Sequence, residues 1–265
     1  MTKNGAIVIG LVVPVWKRYT LTRYTLRHWQ ALQETLIRNK IILIPCVVKS
    51  NEDDAEKWEW IDRCHSFHSI SVPNEPRSDK FNAGYKEFQD NKNLDGVLLV
   101  GSDDVCTAEY IIGAVRMLLQ GHNIVMATGL HFYNLEGGAS FHIPVKSMGA
   151  FSLISRGLLE GLNFSPMDPG HNEGADKTLH NQIAKRIGHG AVQRGFVSVE
   201  PDGNLSVCVD IKSRGEDGHS ANVWSFSHMA TAFRAVKTDH TEKTVLKAIP
   251  WIWSLTELPT NRVTK

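Results

Sequence analysis

Val97-Leu98-Leu99-Val100-Gly101-Ser102-Asp103-Asp104 joins a short, wholly apolar run to two adjacent carboxylates. A run this apolar reads as a strand buried on both faces, and open α/β sheets place their ligands at the carboxyl ends of such strands. Acids delivered there suit a hard divalent cation carrying phosphate oxygens. A solvated turn or a helix N-cap uses Asp equally well, so both readings of the pair stay open at this point.

Strand-like and helix-like segments alternate on either side of it. Ala6 to Val13 is a near-continuous apolar run ending at Pro14. Leu21, Thr25, Trp29, Leu32 and Leu36 then recur at helical spacing, with Thr20 placed to cap. Ile41 to Val48 predicts a second strand, Asp53 to Cys64 a helix, His68 to Val72 a short strand and Lys80 to Asn91 a helix. Beyond the acids come a helix over Thr107 to Leu119, strands over Asn123 to Phe132 and Gly149 to Ser155, and a helix from Ala175 to Ile187 after a long Pro- and Gly-rich loop. Val197 to Val199 and Leu205 to Val209 read as a hairpin turned at Pro201-Asp202-Gly203-Asn204. The order implies an α/β fold, a Rossmann-like, mostly parallel sheet flanked by helices on both faces.

Bulk properties set limits without naming a chemistry. With 265 residues, 42% hydrophobic and 22% charged, the chain suits one large core. A formal charge of +1 offers no overall drive toward nucleic acid or membrane. Cys46, Cys64, Cys106 and Cys208 are widely spaced and form no Cys-x-x-Cys pair, which argues against a zinc ribbon or a disulfide framework and for reduced, buried thiols. The apolar stretch Ala6 to Trp16 is too short to span a bilayer and no small-residue cleavage site follows it, so no membrane span is expected and a cytoplasmic protein is the simplest assumption, in the host cytoplasm if phage-encoded. Gly-x-Gly-x-x-Gly, Gly-x-x-x-x-Gly-Lys and Ser-His-Asp patterns are absent, against dinucleotide, P-loop and hydrolase functions.

Several ordered landmarks between Ile7 and His219 resemble the GT-A fold nucleotide-sugar glycosyltransferases, most closely the large inverting family called family 2. Pro14-Val15-Trp16-Lys17-Arg18 resembles that family's Pro-x-x-x-Arg start, Lys80-Phe81-Asn82-Ala83-Gly84 its Lys, Asn, Gly segment, and Gly101-Ser102-Asp103-Asp104 its Asp-x-Asp-Asp signature. The resemblance implies one GT-A domain over 1–265, with the section from about 197 to 265 shaping the acceptor site. It implies transfer of a sugar, with inversion, from a nucleoside diphosphate sugar to an acceptor hydroxyl, assisted by Mn²⁺ or Mg²⁺. Pro14, Arg18, Lys80, Asn82, Ser102, Asp103 and Asp104 would line the donor site. Asp103, Asp104 and the late His219 would be metal ligands, with His228 as the next histidine. Asp176 would be the base and Glu173 its understudy, both in Glu173-Gly174-Ala175-Asp176-Lys177-Thr178-Leu179. A helix-start acid favoured by the macrodipole remains the plainer reading of that segment.

The chain departs from the family at Gly101, where the signature has its first Asp, and at Val48-Lys49-Ser50-Asn51, where many relatives carry a base-reading Asp. A UDP-sugar is the first donor to expect, though these departures leave the nucleoside open. The acceptor is open too, a glycan or a modified DNA base, and a phage-type enzyme glycosylating DNA bases suits the chain's size but lacks a visible basic stripe. Two other readings remain: a nucleotidyltransferase of similar fold, which would want a Gly-rich basic loop after the first strand, and a catalytically silent nucleotide-sugar-binding protein, kept open by Gly101. His65 and His68 read as no metal pair. Gly149-Ala150-Phe151 suits a close approach to sugar or core packing, and Pro250-Trp251-Ile252-Trp253 is a packing anchor or an acceptor patch.

Overall fold

The computed structural model describes residues 5–135, 139–144, 149–171, 179–200, 206–212 and 239–252. The first two thirds alternate as β1 (Ile7–Pro14), α1 (Tyr19–Arg38), β2 (Ile41–Ser50), α2 (Ala55–Asp62), β3 (His68–Val72), α3 (Arg77–Lys86), β4 (Gly96–Leu99), β5 (Asp104–Cys106) and α4 (Ala108–Leu119). There follow β6 (Ile124–Ala127), β7 (Gly129–Asn134), β8 (Ala139–Pro144), β9 (Ser152–Ser155), α5 (Arg156–Gly161), α6 (Leu179–Ile187), β10 (Arg194–Val197), β11 (Cys208–Lys212) and α7 (Asp239–Ala248).

Seven strands form one sheet in the order β10-β6-β9-β4-β1-β2-β3. β1 lies inside it, between β4 and β2 and parallel to both. Its alternation divides the core: Ile7, Ile9, Leu11 and Val13 face α1, α2 and α4, where Trp29, Trp58 and Tyr110 pack, while Val8 and Val12 face Tyr85 of α3 and Leu159 and Ile183 of α5 and α6. A strand covered on both faces must be apolar at nearly every position, which is why this run was readable. α3 lies so close that a Cβ on Gly84 would stand 2.6 Å from Val12 and 2.8 Å from Val48. Glycine inside that helix serves contact with the sheet.

The sheet is mostly parallel, as expected, with β9 antiparallel to both β4 and β6. Three differences from the sequence reading stand out. The expected strand Asn123 to Phe132 breaks into β6 and β7, which belong to different sheets. A second sheet, in the order β5-β11-β7-β8, was not anticipated. And the expected hairpin around Pro201 does not form: β10 joins the large sheet beside β6, whereas β11 lies between β5 and β7. β11 is drawn there by Val209 and Ile211, which pack with Val105, Tyr133, Val245 and Ile249 in a core of their own.

α1 begins differently too. Thr20 is not its cap; Arg18 takes that place in a left-handed conformation, φ 52°, with no side-chain capping bond. At the other end of the chain Trp251 stacks on Tyr24, ring centroids 5.7 Å apart, and donates its indole N–H to His28 Nδ1 at 3.2 Å. His28 Nε2 faces the Cys106 carbonyl at 2.8 Å and so carries the proton, leaving Nδ1 to accept. Trp251 therefore packs as an anchor tying α1 to β5; Trp253 lies outside the described residues. The four cysteines are free thiols. No helix among the described residues is long and apolar enough to cross a membrane.

Candidate functional site

Beyond β4, Val100 N still donates to Val12 O at 3.1 Å, and the chain then turns over the C-terminal edge of the large sheet. Gly101 N donates to Asp104 Oδ2 at 2.5 Å, and Thr25 of α1 donates its hydroxyl to Ser102 O at 2.9 Å. A Cβ at Gly101 would stand 2.8 Å from Asp104 Oδ2 and 2.9 Å from Asp103 Oδ1. A side chain at 101 would therefore require one of the next two carboxylates to shift from the position it holds here.

β11 completes the corner. It pairs antiparallel with β5, Asp210 opposite Asp104, and Ile211 N donates to Asp103 O at 2.9 Å. Asp103, Asp104 and Asp210 each present an oxygen within 4.8 Å of the others. Two cations enter the same corner. Arg18 pairs with Asp103, and Lys212 Nζ lies 2.6 Å from Asp210 and 3.5 Å from Asp103.

The electrostatics follow from this crowding. Burial alone would raise Asp103, but Lys212 and Arg18 more than reverse it and hold the carboxyl at about 2. Burial, Asp210 and Asp103 push Asp104 well above the usual carboxylate range. Burial brings Asp210 to about 6, against the pull of Lys212 and with the push of Asp103. Lys212 is raised, its burial outweighed by Asp210 and Asp103, and Arg18 is raised by Asp103. Three hard oxygen donors that resist ionising together fit a divalent cation, which relieves their repulsion.

Of the residues singled out in the sequence, Arg18, Ser102, Asp103 and Asp104 lie together at this corner. Pro14 ends β1 opposite Val48, one residue before the loop that leads to Arg18. Lys80 is buried, and its ammonium meets Val15 O at 2.6 Å, Ser50 Oγ at 2.5 Å and Asn74 Oδ1 at 3.2 Å. Those three acceptors use its three protons, and burial holds it down to about 8. Asn82 clamps Met167, donating to its carbonyl at 2.9 Å and accepting from its N–H at 3.1 Å. Both side chains tie together the loops around the sheet's C-terminal edge. Glu173, Asp176, His219 and His228 lie outside the described residues.

Asp210 and Lys212 were missed in the sequence. The signal is the same one that marked Asp103: Val207-Cys208-Val209-Asp210-Ile211 is an apolar run broken by an acid.

Strand order, mostly parallel sheet and acidic turn together make up a GT-A-like fold. Among solved structures the chain is similar to the 1–349 segment of S. aureus TarS, a GT-A-type glycosyltransferase, in complex with UDP-GlcNAc: 14% identity, TM-score 0.56, covering 82% of this chain and 62% of that one. The same segment in complex with UDP aligns at 13% identity and TM-score 0.54, over 78% of this chain and 61% of that chain. Against the longer TarS structure, 13% identical with a TM-score of 0.54, the match covers 78% of this chain and 37% of that chain. The chain thus spans less than two thirds of these neighbours, and the likeness shows the fold. No model of a known protein family matches the chain, nor does any curated protein.

Proposed function

We propose that this protein transfers a sugar from a nucleoside diphosphate sugar to an acceptor hydroxyl. The reading rests on one observation above the rest: Asp103, Asp104 and Asp210 meet at the C-terminal edge of a GT-A-like sheet, within 4.8 Å of one another. These three would hold Mn²⁺ or Mg²⁺, with His219 as a further ligand; bound there, the cation supplies Lewis-acid neutralisation of the departing diphosphate. Arg18 and Lys212 add fixed positive charge on the same side. Asp176, with Glu173 as the second candidate, takes the acceptor's proton in an inverting displacement. A UDP-sugar is the first donor to try, since the TarS structures hold UDP-GlcNAc and UDP.

The test is a thermal-shift screen of nucleoside diphosphate sugars with Mn²⁺ and with EDTA, because a donor that binds the folded state raises the melting temperature by mass action. The expected result is stabilisation by a UDP-sugar only with the cation present; no stabilisation by any donor overturns the reading. Asp176→Asn is expected to keep the donor shift and slow transfer about 100-fold.

A binding protein without turnover draws on a specific observation of its own: Arg18 and Lys212 already neutralise Asp103. Donor stabilisation without transfer to any acceptor would favour that second reading.

A further inference from the structure

The transfer reading uses the acidic edge of the sheet and leaves another concave surface unexplained. α1 and α2 leave that edge on the same face of the sheet, and between them runs a groove of about 840 Å³. Cations and rings alternate along it. Lys57 Nζ lies 4.6 Å from the Tyr19 ring, and one turn further the Arg23 guanidinium lies 5.2 Å over Trp60. Arg27 follows a turn later, and at the far end Gln30 donates to Cys64 Sγ at 3.1 Å. From Tyr19 to Gln30 the helix rises about 16 Å at 1.5 Å per residue.

A solvated helix face explains exposed arginines but not this arrangement. On such faces a cation is commonly matched by an acid at i+4, whereas Arg23 has Arg27 there, a repulsive pair. Neither joins an ion pair among the described residues; Arg63 does, with Glu59 at 2.6 Å. Arg23, Arg27, Lys57 and Arg63 face only Glu56 and Glu59, so positive charge is concentrated here on a chain whose formal charge is +1. The Trp60 indole nitrogen is buried and finds no acceptor among the described residues.

We propose that this groove is the docking track of a single nucleic-acid strand. Its phosphates meet Arg23, Arg27 and Lys57, and its bases stack at Trp60, where the Arg23 guanidinium lies 5.2 Å from the ring centroid and can move onto a phosphate. The track opens where α1 begins, one residue after Arg18, which pairs with Asp103. A strand lying in it is led to the acidic corner, which makes nucleic acid the acceptor class; that last step rests on the transfer reading, whereas binding of the strand does not.

Anisotropy of a short fluorescein-labelled single-stranded oligodeoxynucleotide tests it, titrated across salt concentrations with the whole protein. Binding is expected at low salt, with inorganic polyphosphate of matched charge competing poorly because it has no bases. The double substitution Arg23→Gln with Arg27→Gln, at two exposed positions, should weaken binding and flatten the slope of log K against log salt by about 1.4, from about 0.7 per phosphate contact. Trp60→Leu should weaken it about tenfold through lost stacking. An unchanged slope in the arginine variant, equal competition by polyphosphate, or no binding at low salt overturns the proposal. The donor thermal shift, read in parallel, is expected to survive the arginine substitutions. A strand that binds to a protein with no donor shift leaves the track standing and removes the transfer reading alone.

Discussion

The seven-stranded sheet and the four-stranded sheet are built by different means. In the large sheet β1, β2 and β3 are neighbours in sequence and in space, and β1 is apolar throughout because helices cover both its faces. In the small sheet β5 meets β11 across a gap illustrated by the bond from Val207 N to Thr107 Oγ1, 100 residues apart. The large sheet supplies rigidity, and the small one brings two of the three acids, Asp104 and Asp210, into register. Stability and chemistry therefore occupy adjoining but separable parts, and substitutions can show whether they separate in fact.

The largest effect is expected in the small sheet. Asp210→Asn should lower metal-assisted transfer by about 1000-fold, close to 4 kcal/mol of barrier, while the far-ultraviolet spectrum is retained. Wild-type turnover with limiting cation would remove Asp210 from the site. In the large sheet's core, Trp29→Ala, at a position with 0% exposure, should cost about 3–5 kcal/mol of stability by urea titration. The folded fraction should keep its donor affinity; a parallel loss of affinity would show that the two parts do not separate.

Histidines allow the same comparison through pH. His131 on β7 is held at about 4 by burial and by His142 beside it; His180 on α6 is held at about 4 by burial and by Arg194. Each binds its proton more weakly when folded than at its ordinary 6.5, so the unfolded chain takes up more protons between those values and stability falls as pH drops from about 6.5 to about 4. The loss is about 3 kcal/mol per histidine at most. Urea midpoints at neutral and acid pH should show the drop, and His131→Gln and His180→Gln should each reduce it. A slope that His131→Gln leaves unaltered would mean that His131 binds its proton equally well in the folded and the unfolded chain.

The smallest effect concerns the join. Thr25→Val removes the hydroxyl that α1 donates to Ser102 O and should cost about 1 kcal/mol, with a modest loss of donor affinity. A stability cost with unaltered affinity would mean that the acidic turn holds its shape without α1.

Legibility in the sequence follows the same division. The runs at β1 and β4 were readable because burial on both faces removes every polar residue, and Asp103 and Asp104 stood out because they end such a run. The small sheet was not, because its strands are short and find partners far along the chain, so local periodicity carries no trace of the pairing. Asp210 breaks an apolar run as Asp103 does, but inside a strand an acid also reads as the solvent side of an alternating edge, and its register opposite Asp104 decides between the two. Lys80 and Asn82 were legible as important positions, but the acceptors they use, Val15, Ser50, Asn74 and Met167, depend on loops that no motif describes.

The pairing of Asp210 with Asp104 also limits how the gene can change. Successive side chains of a strand point to opposite faces, so inserting or deleting one codon between Cys208 and Asp210 would set Val209 or Ile211 opposite Asp104. The strand's start is fixed by Thr107 N donating to Val207 O at 3.0 Å, so a length change before that point leaves the pairing alone. Within β11 the register opposite Asp104 fixes the number of residues.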